Sequence, residues 1–80
     1  MTATITLSPS PPSVGDTLTI TYTGRVGQVL NLDWHPSGSP TTVTIGSNGT
    51  AQVVVPSSAT SLIVSDPSGN ASAVSTTIDP

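Results

Sequence analysis

Few side chains in this sequence can do acid–base, metal or redox chemistry. His35 is the single histidine, Asp16, Asp33, Asp66 and Asp79 are the only acids, and Arg25 is the only cation besides the histidine. Cysteine, lysine and glutamate are absent. His35 is the one base whose unperturbed pKa lies near neutrality. Asp33 stands two residues before it, so on a strand the two share a face, opposite Trp34. Such a dyad activates a nucleophile only when a third element aligns one. Serine is so common here that a nearby one carries no weight, and no Gly-x-Ser-x-Gly elbow occurs. His35 is therefore expected at a surface or interface. A zinc site needs three or four ligands from His, Cys and carboxylates, and one histidine with scattered aspartates does not supply it. No glycine fingerprint for phosphate or dinucleotide binding is found either. The expectation is no catalytic residue, no metal and no cofactor.

The stretch Ser65–Ser72, SDPSGNAS, has three readings. Asp66, Ser68 and Asn70 place oxygens at alternate positions, as a calcium loop does. Calcium, however, takes six to eight oxygens, usually several from carboxylates, and this stretch has one carboxylate. Asn70-Ala71-Ser72 is a glycosylation acceptor triplet, as is Asn48-Gly49-Thr50. Both are expected unmodified, since such triplets arise easily in a Ser/Thr-rich chain. The third reading is a turn, with Pro67 at its second position and Gly69 supplying positive φ. That reading is preferred.

Charge narrows the partners. One arginine against four aspartates gives a net charge of −3, and only 6% of residues are charged. A nucleic-acid binder neutralises several phosphates with cations, so nucleic acid is excluded as a partner. An anionic membrane surface is excluded by the same count. The exposed surface must be mostly hydroxyl and amide. That composition suits extracellular modules and virion surfaces, with genome composition bias as the alternative explanation. No run approaches the ~20 apolar residues that span a bilayer. The start, Met-Thr-Ala-Thr-Ile-Thr, has neither a basic segment nor a long apolar run. The expectation is a small complete gene product used without export.

Eighty residues make one domain, 1–80, with a thin core, because a chain near this size buries only about 60% of its unfolded surface. Period-two alternation dominates, and eight prolines and seven glycines cut the chain into short segments. Strands are predicted over Thr2–Ser8, Thr17–Thr23, Gln28–His35, Thr41–Ile45, Thr50–Val55, Ser61–Ser65 and Ala71–Ile78. Leu18, Ile20 and Tyr22 face inward from the second, and Leu30, Leu32 and Trp34 from the third. Gly46-Ser47-Asn48-Gly49 is predicted to be a hairpin turn. Seven short strands with a Trp on the third predict an all-β, immunoglobulin-like sandwich of about seven antiparallel strands, with a small barrel as the competing fold.

Two stretches give the chain a family likeness. SPPSVGDTLTITYTG (Ser10–Gly24) resembles the passage from first to second strand of bacterial and phage immunoglobulin-like domains. SLIVSDPSGNASAVSTTI (Ser61–Ile78) resembles their closing hairpin. The cysteine pair is missing, as is usual in the bacterial branch. No tyrosine precedes the sixth strand, so the usual tyrosine corner is not expected. The resemblance implies a stalk, adhesive or capsid-surface role and transfers no catalytic residues.

The functional expectation is a small phage virion protein decorating the capsid. Its partner would be the major capsid protein or another virion protein, and self-association is left open. Candidate contacts are Pro9, Pro11 and Pro12, Arg25, His35, Ser37 and Pro40. The alternative is a spacer or ligand-binding repeat of a bacterial surface protein or carbohydrate-active enzyme.

Overall fold

In a computed structural model that describes residues 3–80, the chain forms seven strands. They are β1 (Ile5–Ser8), β2 (Thr17–Tyr22), β3 (Val29–His35), β4 (Thr42–Thr44), β5 (Thr50–Val54), β6 (Ser61–Ser65) and β7 (Val74–Thr77). Two antiparallel sheets face each other, one ordered β1-β2-β5 and the other β4-β3-β6-β7. The fold is thus a β-sandwich of the immunoglobulin-like kind and not a closed barrel. Predicted cores of all seven strands are present, the sixth with the bounds expected and the other six with shorter ends. The first strand begins at Ile5, and Thr2 lies outside the described residues. The seventh begins at Val74, because residues 71–73 are taken up by the approach to it.

The alternation that predicted the strands sets the layers. Leu18, Ile20 and Tyr22 on β2 meet Leu30, Leu32 and Trp34 on β3, together with Val53, Val55, Leu62 and Val64. Threonines fill the opposite face of the three-stranded sheet, where Thr6, Thr21 and Thr50 form one row and Ser8, Thr19 and Gln52 the next. Asn31, Asp33 and His35 lie outward on β3, beside Ser61, Ile63 and Ser65 on β6. Both outer faces are therefore largely neutral and polar.

One sequence expectation fails here. The Gly46–Gly49 turn forms, with the Gly49 N–H donating to the Gly46 carbonyl at 2.9 Å. It does not make a hairpin, because β4 pairs with β3 and β5 pairs with β2. The turn carries the chain from one sheet to the other. Its positive φ falls on Gly49 (81°) and not on Asn48, whose Oδ1 instead accepts the Thr50 N–H at 3.2 Å. A two-residue hairpin of the primed type requires positive φ at its first central residue, and this turn lacks it.

The proline-rich step has a structural purpose. Before it, β1 pairs with β2. After it, Ser13 bridges Asp79 in parallel, with the Asp79 N–H donating to the Pro12 carbonyl at 2.8 Å and the Val14 N–H to the Asp79 carbonyl at 3.0 Å. Pro9–Pro12 thus moves the chain from the edge of one sheet to the edge of the other. Proline suits a stretch that must leave a ladder, since it has no N–H to donate.

Candidate functional site

Strand directions gather the loops at two ends of a body 36 × 21 × 18 Å in extent. One end carries loops 23–28, 45–49 and 66–73, with residue 3 beside them. The other carries loops 9–16, 36–41 and 55–60 and residues 78–80. Seven of the eight prolines stand at this second end, and only Pro67 stands at the first. The candidate contacts divide accordingly. Pro9, Pro11, His35, Ser37 and Pro40 are exposed and share the proline end, while Arg25 is exposed at the opposite end. Pro12 is withdrawn as a contact, because its side chain is fully buried where the chain changes sheets.

Loop 36–41 is held firmly. The Trp34 Nε1–H donates to the Pro40 carbonyl at 2.6 Å. Gly38 lies flat on the indole, where an added Cβ would come within 2.7 Å of Trp34 and 2.8 Å of Pro56. Ser58 Oγ donates to the Ser37 carbonyl at 3.2 Å, and Thr60 donates to the His35 carbonyl from its N–H (2.6 Å) and hydroxyl (3.1 Å). The indole is needed twice, as core and as the peg on which the loop hangs. Sequence reasoning found the first role and missed the second. A glycine four residues after a core tryptophan, between two prolines, was the available signal.

The dyad forms as its spacing predicted. His35 Nε2 lies 3.0 Å from Asp33 Oδ2, with both side chains half exposed or more. Ser61 is the cross-strand neighbour of His35, yet no side-chain hydrogen bond joins them. The pair sits on an outer sheet face, open to water. No group of three or more metal-ligating side chains occurs among the described residues.

At the Arg25 end, Asp66 is buried and fully engaged. Tyr22 Oη donates to its Oδ2 at 2.6 Å, and the Ser68 N–H and hydroxyl donate to its Oδ1 at 2.9 and 2.5 Å. Gly69 has φ 79°, and its N–H donates to the Asp66 carbonyl at 3.0 Å, as the turn reading of this stretch requires. Hydrogen bonds from Ser68 and Tyr22 hold the Asp66 carboxyl below its ordinary value. The same bond to Asp66, with burial, raises the Tyr22 phenol above its own. The carboxylate is thus committed to tying the two sheets together. Sequence reasoning missed this pairing. The signal was present in strand count, because β2 and β6 run the same way in facing sheets and their ends must meet. The usual tyrosine corner was not expected, and a tyrosine at the end of the second strand makes a tie across the sheets of its own. Gly24 packs against the Tyr22 ring, where a Cβ would approach to 2.5 Å.

A shallow cleft of about 410 Å³ opens beside this network, lined by Ala3, Thr4, Ile5, Asn70, Ala71 and Val74 among others. It separates β1 from the approach to β7, which are linked here by the Ala3 N–H donating to the Asn70 carbonyl at 2.8 Å. It has no charged lining residue. Comparison with protein-family models, with curated proteins and with solved structures finds no match for this chain.

Proposed function

We propose that this domain is a non-catalytic module that decorates a phage capsid, docking through its proline end. One observation carries the reading. Loop 36–41, held by Trp34, Ser58 and Thr60, and loop 9–12 at the same end carry no charged side chain of their own, with Asp16 and Asp79 at their margin, on a domain whose outer faces are largely neutral. Contacts made by such loops lose little conformational freedom on binding, and preorganisation of that kind favours association. Pro9, Pro11, Ser37 and Pro40, with His35 at their border, would meet the major capsid protein or another virion protein. Arg25 would point away. Docking through uncharged loops should resist added salt. Mass spectrometry of purified virions from the source should find the chain as a regular component, bound equally at low and high salt. Its absence from virions would overturn the reading.

A second reading has its own support. The two ends of the described chain lie at opposite ends of the long axis, which suits a spacer in a bacterial surface protein or carbohydrate-active enzyme. Neighbouring genes separate the two, since capsid and portal genes favour the first and cell-wall or glycosidase genes the second.

A further inference from the structure

Arg25, the one arginine of a chain without lysine, makes no salt bridge among the described residues. The single ion pair among the described residues joins His35 to Asp33. Arg25 makes only a long contact, 3.4 Å from Nη2 to Gln28 Oε1. It projects from the end where Asp66 is turned inward onto Tyr22 and Ser68. Val26, beside it, is 56% exposed, and Val29, at the start of β3, is 41% exposed. The opposite end has the reverse character. Asp79 is exposed there, its backbone clamped to Pro12 and Val14, and Asp16 lies nearby. Beside these acids in the chain stand exposed Pro11, next to the Pro12 carbonyl that Asp79 binds, and exposed Pro80. The long axis is 36 Å, several times the Debye length of about 10 Å at 0.1 M salt. The two ends of one copy therefore cannot neutralise each other in solution.

We propose that copies of this chain associate head to tail, with Arg25 and Val26 of one copy seated against Asp79 and the exposed prolines of the next. Cation meets acid, and exposed valine meets proline ring, so charge and apolar character are complementary at one junction. The contact is heterologous, and repeating it gives a string instead of a closed dimer. The junction competes with capsid docking for the proline end of a copy, but a copy docked there still offers its Arg25 end.

Sedimentation equilibrium on the isolated protein tests this. The wild type should show concentration-dependent association at low salt, lost at high salt. Arg25→Asp and Asp79→Arg should each be monomeric. An equimolar mixture of the two, and the double variant, should regain association, because each junction again pairs opposite charges. Thermal melting at the wild-type temperature confirms that every variant folds, and both side chains are exposed. Arg25→Gln serves as a second, milder variant that should weaken association without reversing the charge. A wild type that stays monomeric at low salt, single variants that associate like the wild type, or a mixture that fails to recover would each overturn the proposal.

Discussion

The side chains that looked most chemical and those that matter most to the fold are different sets. His35 and Asp33 drew attention by type, yet both stand in solvent. Asp66 drew attention as a possible ion ligand, and its oxygens are spent on Tyr22 and Ser68. The pH dependence follows from that network. Asp66 has its folded pKa lowered, so its contribution is present above the ordinary carboxylate value near 3.8 and is lost as pH falls through the folded value. Tyr22 has its folded pKa raised, so its contribution holds below its ordinary value of 10.0 and is lost as pH rises through the folded one. Thermal melting should thus fall below about pH 4 and again above about pH 10. Tyr22→Phe should lower the melting temperature at neutral pH and flatten the alkaline fall, and an unchanged alkaline profile would show that the phenol is not the titrating group. Gly38 gives a second test at this scale. Its Cβ would enter the space of Trp34, so Gly38→Ala should cost about 1–3 kcal/mol by overpacking. Chemical denaturation measures that, and loss of blue-shifted indole fluorescence would accompany it.

At the scale of strands, every sheet in this fold has two edges, and an unprotected edge invites pairing with other chains. Lysine, the usual guard, is absent from the chain. Proline does the work instead. β1 is followed by Pro9, β4 is preceded by Pro40, β5 ends two residues before Pro56, and β7 lies three residues before Pro80. Each edge strand is also short, three to five residues. Replacing Pro9 and Pro11 together by valine should lengthen the open edge of β1 and promote aggregation on heating. Light scattering during a thermal ramp would register it, and an unchanged scattering profile would mean the edges are guarded by something else. Most of this layout was legible in the sequence, because alternation such as Leu18, Ile20, Tyr22 fixes which side of a strand is core. Sheet membership was less legible. Gly46–Gly49 has the composition of a hairpin turn, and only the competition of β3 for β4 and of β2 for β5 decides that it crosses between sheets. Most candidate contacts were legible as exposed residues, Pro12 being the exception because it is buried where the chain changes sheets, but not their separation into two ends, since that depends on the direction of every strand.

For the molecule as a whole, scarcity of charge separates two properties that usually travel together. Stability here rests on apolar burial around Leu18, Ile20, Leu30, Trp34 and Leu62, on the backbone ladders and on the Tyr22–Asp66 tie, which is sheltered from solvent. Among the described residues the one imidazole–carboxylate contact is the exposed one between His35 and Asp33, and exposed pairs contribute at most about 1 kcal/mol even when both partners are charged. Screening it should change the fold's stability very little. Contacts between copies are different, because Arg25 and Asp79 meet only at a junction, where salt competes directly. Chloride salt should therefore leave the melting temperature of the dilute monomer nearly constant while it dissolves the associated species. Scanning calorimetry across a salt series, set beside sedimentation over the same series, checks both halves. A melting temperature that falls steeply with salt would mean that electrostatics, and not the thin apolar core, holds the sandwich together.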